Sequence, residues 1–196
     1  MSKRTNILKA ALRLFAEKGF RDTTMTELSK VTGAAEGTIF YHFKTKEDIF
    51  LAILENARKE IIGEFERYFR ETRFPNGLEM MEGVISFYLY LSARMEDPFL
   101  LLHRHYPYQL AEKNQVCREH LEAIYNCLVD FFEQAITQGQ EDGSIRAMPA
   151  RKTALLLFTM VDGLIRFKNY NLYDASALYS EVIDVSRRML QCENAK

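Results

Sequence analysis

Residues 24–43 of the chain read TMTELSKVTGAAEGTIFYHF, and this stretch decides the fold. Thr24 with Glu27 three residues later is the pattern of a helix N-terminus. Gly33 suits the left-handed conformation that ends a helix, and a further short helix then fits Glu36 to Phe43. Two short helices joined by a tight turn have helix-turn-helix geometry, whose second helix can enter the major groove of DNA. A plain helical hairpin packed on a core has the same spacing, so both interpretations stay open at this point.

The apolar spacing within the motif predicts which of its side chains face the protein interior. The residues expected to point inward, onto the preceding helix, are Leu28, Val31, Ile39 and Phe43. Those left for the outside are Glu36, Gly37, Thr38, Tyr41 and His42. A short helix that exposes small, hydroxyl and aromatic residues fits the major groove, where bases present hydrogen-bond donors and acceptors.

Helical spacing of apolar residues continues along the rest of the chain, and no segment shows the alternation typical of a strand. We therefore predict an all-α protein of about nine or ten helices. Thr45 should cap a long helix that runs to about Arg73. A helix from Val116 should end near Gln138, because Gly139 follows it, and Pro149 should open the next one.

Composition narrows the class of protein. The chain has 196 residues, of which 47% are hydrophobic and 27% charged, which excludes a disordered protein. Its three cysteines, Cys117, Cys127 and Cys192, form no CxxC pair, so we expect a reducing compartment and buried apolar roles for them. No stretch is apolar enough to span a membrane, and Lys9 and Arg13 interrupt any signal-peptide core. We expect a cytoplasmic protein.

Charge is distributed unevenly along the chain. Residues 1–46 carry nine basic and four acidic residues, a net charge of +5, whereas the remainder carries −6. A basic head on an acidic body is consistent with a polyanionic partner for the head alone. We accordingly predict a DNA-binding domain over residues 1–46, with its motif at 24–43, and a second, larger helical domain over residues 47–196.

Three stretches of the head together resemble one family of bacterial proteins. They are ILKAALRLFAEKGF at 7–20, TTMT at 23–26 and GTIFYHFKTKED at 37–48. The resemblance is to the tetracycline-repressor (TetR) family of transcriptional regulators, and it covers about residues 3–63. It implies a homodimer whose two heads enter successive major grooves of a pseudo-palindromic DNA operator. It also implies a body that dimerises and binds a small effector, and a repressor rather than an enzyme.

The resemblance also assigns DNA contacts, residue by residue. Thr38 and Tyr41 are the candidates for contact with base edges. The candidates for contact with phosphates are Thr24, Thr26, Tyr41, His42 and Lys46, with the backbone N–H groups of Met25 and Gly37. Lys46 is the cation expected to matter most, because each phosphate contact adds affinity and salt dependence. An ordinary solvated lysine is the alternative.

Three residues of the head depart from the family pattern. Ala35 stands where a serine is common, so the recognition helix loses a hydroxyl cap that normally contributes about 1 kcal/mol. Phe40 replaces a frequent tyrosine and removes one possible phosphate hydrogen bond. Glu36 puts an acid on the face turned toward DNA, where it repels phosphates but can accept a hydrogen bond from cytosine N4. We expect Glu36 to exchange non-specific affinity for selectivity.

The body is rich in aromatic and methionine residues over 80–110, which either fill a core or line a pocket. The resemblance favours a pocket for a small apolar or aromatic molecule. The predicted ligand-binding residues are Phe87, Tyr88, Leu91, Met95, Phe99, Leu102, His103 and Tyr106. His103 and His105 lie two residues apart and point in different directions on a helix, so we expect no metal site. No cofactor or catalytic motif is expected either.

Two apolar helices, near 116–138 and 149–168, resemble the pair that forms a four-helix dimer bundle in the TetR family. The stripe on one of them can instead face the core of its own chain. The alternative function is a DNA-bound interaction protein of the same fold that takes no effector. Close packing among the central helices favours that alternative, and an open apolar cavity favours the ligand sensor.

Overall fold

The computed structural model describes residues 2–191 and is helical, which confirms the predicted all-α class. The described part contains ten α-helices, one 3-10 helix at Ala175–Leu178 and no strand. The α-helices are α1 Lys3–Glu17, α2 Met25–Thr32, α3 Glu36–His42, α4 Lys46–Glu71, α5 Gly77–Arg94, α6 Glu96–His103, α7 His105–Ala111, α8 Gln115–Asp142, α9 Ala150–Asn169 and α10 Tyr179–Leu190. The expectation for Cys192 lies outside the described residues.

Local capping sets the boundaries of the short N-terminal helices. The Thr24 hydroxyl caps α2 by accepting from the Glu27 backbone N–H at 3.1 Å. Gly33 ends α2 in the left-handed region with φ +67°. Thr45 and Asp48 cap α4 reciprocally, since each accepts a hydrogen bond from the other's backbone N–H at 3.0 and 2.9 Å. These helix ends follow from residues three or four positions apart, which is why the sequence predicts them.

Two local predictions are wrong. Val31 is 58% exposed, whereas Leu28 and Ile39 are buried as expected. Leu28 and Thr32 lie four positions apart on α2 and therefore on the same side of this two-turn helix. The Thr32 hydroxyl donates to the Leu28 carbonyl at 2.7 Å. Val31 lies to the side of Leu28 and Thr32 and faces out.

Gly139 does not end the eighth helix, which continues to Asp142 and stops before Gly143 at φ +80°. Gly139 does not end a helix but allows a close contact between α8 and the start of α5. A Cβ added to Gly77 would overlap the backbone of Gly139, and one added to Gly139 would overlap Ile145. The start of α5 therefore touches α8 backbone to backbone, which only glycine permits.

The chain folds into two compact units. Unit 1 comprises the residues up to Glu60 together with Met95–Ala123, and unit 2 comprises Ile61–Arg94 together with the residues from Ile124 onward. Helices α4 and α8 each contribute residues to both units. The predicted boundary after residue 46 separates a DNA-binding domain from the rest of the chain. That assignment of function stays a prediction.

Each unit has its own apolar core. Fully buried residues of unit 1 include Ile7, Phe15, Leu28, Ile39, Phe50 and Leu54. Those of unit 2 include Ile61, Phe65, Tyr88, Phe132, Val161 and Ile165. Among residues 2–191, no helix combines the length and the apolar character needed to cross a membrane.

Candidate functional site

The predicted DNA contacts all lie in unit 1, on α2 or its N-cap Thr24, on α3, or at the start of α4. The exposed ones are Thr24, Thr26, Gly37 and Tyr41. The half-buried ones are Met25, Glu36, Thr38, His42 and Lys46. Tyr41 is 79% exposed and lies edge-on to the His42 ring at 5.3 Å. Met25 and Gly37 occupy first turns, where backbone N–H groups have no acceptor within the helix. The surface formed by α2 and α3 therefore offers a ligand hydrogen-bond donors from hydroxyl groups, from the His42 ring and from the backbone.

Two of these residues are joined to each other. The Thr26 hydroxyl donates to Glu36 Oε1 at 2.7 Å, across the turn between α2 and α3. Ala35, which precedes Glu36, provides no side-chain cap, as the sequence predicts. The carboxylate at the start of α3 is thus held by a side chain of α2.

Lys46 has a structural role that the sequence did not reveal. Its Nζ donates to the backbone carbonyls of Phe20 and Thr23 at 2.7 and 2.8 Å. It also lies 4.3 Å from the centre of the Phe20 ring. Burial lowers the pKa of the Lys46 ammonium from its usual value. Lys46 therefore ties the start of α4 to the connection between α1 and α2, and leaves one N–H for another acceptor.

A second anchor on the same connection comes from the segment between α6 and α7. Arg104 donates from Nε and Nη2 to the Ala16 carbonyl at 2.8 and 2.6 Å, and from Nη2 to the Glu17 carbonyl at 2.6 Å. These carbonyls end α1, where a cation is favourable. Tyr106 stacks on Phe20 with ring centres 3.8 Å apart. No local signal in the sequence links residues 88 positions apart, so sequence reasoning missed this contact.

The pKa of Tyr106 also reflects this packing. Burial raises the pKa of the Tyr106 phenol to about 12, with a smaller contribution from the nearby Glu47 carboxylate. The phenol is therefore neutral at physiological pH. Tyr106, predicted as a ligand contact, packs against Phe20 and Phe50 within unit 1, the Phe50 ring lying edge-on at 4.9 Å.

A cleft beside the helix-turn-helix adds residues that the sequence analysis did not select. It has a volume of about 310 Å³ and is lined by Lys3 and Asn6 of α1, by Thr38 of α3 and by the turn at 32–35. Lys3 is one of the basic residues that make the head positive. The shared cleft puts these two side chains next to a predicted base contact.

The predicted ligand-binding residues fall into both units. Phe87, Tyr88 and Leu91 belong to unit 2, and Met95, Phe99, Leu102, His103 and Tyr106 belong to unit 1. All of them are buried except Phe87 and Tyr106, which are half-buried. The Tyr88 hydroxyl donates to Asp162 Oδ1 at 2.7 Å.

Unit 2 contains an aromatic cluster that the sequence analysis captured only at Phe87. Its members, Phe65, Tyr68, Phe69, Phe74, Phe87 and Phe131, come from α4, α5, α8 and the segment after α4. Phe87 stacks on Tyr68 at 4.1 Å, and Phe69 stacks on Phe131 at 4.3 Å. All except Phe65 are half-buried. Because the partners of Phe87 lie far away in the sequence, a search of residues 80–110 could not find them.

Cys117, Cys127 and His103 are each at least partly buried. Cys117 is fully buried, as predicted, and Cys127 is half-buried. Burial raises the pKa of their thiols to about 11 and about 12, respectively. His103 is buried and His105 exposed. Within residues 2–191, no group of three or more potential metal-ligating side chains is close enough to hold an ion.

Comparison with known proteins agrees with the geometry of the head. The family model described as "Bacterial regulatory proteins, tetR family" matches residues 7–53. The fatty acid metabolism regulator protein of Bacillus subtilis is 24% identical over 186 residues, which cover 93% of each chain. The regulator AcrR of Shigella flexneri is 40% identical over 72 residues, or 37% of this chain and 33% of that one. The head of the chain, residues 7–53, therefore carries the match to the tetR family.

Solved structures show the same fold over most of the chain. A transcriptional regulator from Saccharomonospora viridis, in complex with choline, has a TM-score of 0.81 at 21% identity and covers 97% of this chain and 98% of its own. FadR from Bacillus subtilis, in complex with stearoyl-CoA, has a TM-score of 0.72 at 24% identity, with coverage of 93% and 96%. TetR-family members are transcriptional regulators rather than enzymes, and this protein is a DNA-binding regulator of that kind.

Proposed function

We propose that this TetR-family protein is a cytoplasmic homodimeric repressor that binds a pseudo-palindromic operator and is released by a small apolar or aromatic effector. The observation that carries the proposal is the exposed surface of α2 and α3, centred on Tyr41, in a head of net charge +5. A single seven-residue recognition helix contacts few base pairs. Two heads whose recognition helices lie about 34–36 Å apart would contact two half-sites one turn of DNA apart.

For the dimer we propose a face on α9 and α10. The apolar stripe predicted on α8 is buried within the chain at Leu121, Ile124, Leu128, Phe132 and Ala135. On α9, by contrast, Leu155 and Leu156 are 46% and 61% exposed. Leu178 of the 3-10 helix and Val185 of α10 are 42% and 43% exposed. Met160 and Leu164 of α9 share an apolar groove of about 290 Å³ with Leu178, Val182 and Val185. Exposed apolar surface of this kind is typical of an interface between chains.

For the effector site we propose the aromatic cluster of unit 2 and the adjoining buried residues of α5. Offset and edge-on aromatic rings give a flat or apolar ligand a large contact area. The B. subtilis and S. viridis relatives, crystallised with stearoyl-CoA and with choline, supply two probes of different chemistry. An effector must bind the DNA-incompetent arrangement more tightly than the DNA-bound one, by the free energy that operator binding loses.

The proposal is tested on the full chain by selecting genomic fragments in vitro and measuring their affinity by fluorescence anisotropy. We expect enrichment of an inverted repeat, a dimer by light scattering and weaker binding when stearoyl-CoA or another apolar probe is added. Tyr41→Ala should abolish selective DNA binding without changing thermal stability, because Tyr41 is exposed. Phe69→Ala should weaken the response to the probe and leave affinity for free operator intact. A monomer that selects no sequence would contradict the proposal.

One observation favours a second candidate, an interaction protein that binds DNA and takes no effector. Tyr88, Leu91, Phe99 and Leu102 are at most 2% exposed, so side chains fill the space around them. This candidate predicts operator binding that no apolar probe weakens, and no co-purified small molecule in native mass spectrometry. Either a probe-dependent release or a bound molecule would exclude it.

A further inference from the structure

The first residue of the recognition helix α3 is an acid, and a hydrogen bond from α2 holds its side chain. Glu36 Oε1 accepts the hydroxyl hydrogen of Thr26 at 2.7 Å. Glu36 is half-buried and Thr26 exposed, so the pair lies at the surface between α2 and α3. The neighbours of Glu36 in α3, Gly37 and Thr38, belong to the predicted DNA-contacting set. Oε2 of the carboxylate has no role in this hydrogen bond and is available to a ligand.

The chemistry of a carboxylate restricts what it can contact on DNA. An ionised glutamate accepts hydrogen bonds and donates none, so phosphate oxygens repel it. In the major groove, guanine presents only acceptors and thymine an acceptor and a methyl group. The donors there are the amino groups of cytosine N4 and adenine N6. Adenine N6 is flanked by the N7 acceptor of the same base, which would face the carboxylate lone pairs, whereas cytosine has a C–H group on that side. Cytosine is therefore the base that a carboxylate tolerates best.

The hydroxyl of Thr26 prepares the Glu36 carboxylate for binding a base. A long acidic side chain on a DNA-facing helix loses rotamer freedom when it binds a base. The hydrogen bond from Thr26 fixes one carboxylate oxygen before DNA arrives, which reduces that cost. A threonine hydroxyl has one hydrogen, so Thr26 cannot donate to a phosphate while it donates to Glu36. The geometry thus gives Thr26 a function different from the phosphate contact that the family resemblance implies.

We propose that Glu36 recognises the N4 amino group of one cytosine in each half-site and that Thr26 is the positioning residue that holds its carboxylate. This inference rests on the proposed operator binding and goes beyond it, because it names the base and the pair of residues that select it. Glu36 is the specificity-determining residue, and its contact adds selectivity at the expense of non-specific affinity.

The test is in vitro selection from a randomised duplex library with the full-length protein and three variants. The wild type should enrich cytosine at one position of each half-site, with a preference of about fivefold or more over the other bases. Glu36→Gln should replace that cytosine by adenine, since glutamine pairs with adenine N6 and N7, and should leave the other positions unchanged. Its affinity for random DNA should rise because one negative charge is removed.

The Thr26 variants separate positioning from a structural or phosphate role. Thr26→Val removes the hydroxyl at nearly constant shape and should reduce the cytosine preference several-fold at that one position. Thr26→Ser keeps the hydroxyl and should retain the preference. Circular dichroism melts check that all variants fold.

Two results would overturn the inference while leaving operator binding intact. One is an enriched inverted repeat whose base preferences are the same in the wild type and in Glu36→Gln. The other is a uniform loss of affinity across all sequences in Thr26→Val, which indicates a lost phosphate contact. If no variant and no wild-type protein enriches any sequence, the proposed operator binding itself is wrong, and this inference falls with it.

Discussion

Replacing Lys46 by methionine distinguishes two roles for this residue. Lys46 either stabilises the fold of the head or contacts a DNA phosphate. The structure places Lys46 Nζ 2.7 and 2.8 Å from the carbonyl oxygens of Phe20 and Thr23, and 4.3 Å from the Phe20 ring centre. Methionine keeps an unbranched side chain of similar length and removes the charge and all three donors. We expect a loss of folding stability rather than a change confined to DNA binding.

The magnitude follows from the contacts. Removing a hydrogen bond to a charged group costs about 1.5–3 kcal/mol when the site is buried, and we take about 1 kcal/mol for each of the two here because Lys46 is partly hydrated. The cation over the Phe20 ring adds about 0.5–1 kcal/mol. The sum, about 2.5–3 kcal/mol, corresponds to a fall in Tm of about 5–12 °C for a chain of this length.

The assay pairs thermal unfolding with DNA titrations at several salt concentrations. Lys44→Met is the matched control, because Lys44 is exposed and two positions away. The control should leave Tm unchanged. If Lys46 acts only through phosphate, Lys46→Met should instead lower the slope of log affinity against log salt by about 1.8, about 0.9 for each head of the dimer, with no change in Tm. That result would refute the anchoring role, whereas a lower Tm with the slope retained would support it.

Three further predictions test the packing, the dimer and the pH response. Gly77→Ala should destabilise the protein by about 3 kcal/mol because its Cβ would overlap the Gly139 backbone, whereas Gly63→Ala, in open space on α4, should stabilise it by about 0.5–1 kcal/mol in urea unfolding. Leu156→Asp, at a site 61% exposed in the single chain, should yield a folded monomer by light scattering with weakened operator binding; a dimer of unchanged affinity would contradict the proposed face. Burial lowers the pKa of His120, with a further contribution from Arg58, so below about pH 6.5 the unfolded chain takes up a proton that the folded chain resists. Stability should therefore fall on acidification through this window, less steeply in His120→Gln, and parallel pH profiles of the two proteins would exclude the effect.

The candidate site illustrates how far the sequence alone leads. The motif at 24–43 placed Tyr41 on the surface and Leu28 and Ile39 inside, because a few residues of helical spacing decide those directions. Val31 was predicted to face inward and is exposed, because the side of a short helix that becomes buried depends on which side packs against another helix. Sequence reasoning also missed the aromatic partners of Phe87 on α4 and α8, which distance along the chain conceals.

The sequence by itself determined the helices, their caps and the family, because helix hydrogen bonds and caps join residues three or four positions apart. Thr24 and Thr45 act in this way, Gly33 ends α2 through its own left-handed backbone, and each was predicted correctly. Only the tertiary structure decided that Lys46 and Arg104 hold the connection after α1, that Gly139 is a contact and not an end, and that Thr26 holds Glu36. Those roles depend on atoms from separate segments meeting within hydrogen-bond or van der Waals distance, and no local pattern of residues encodes which segments will meet.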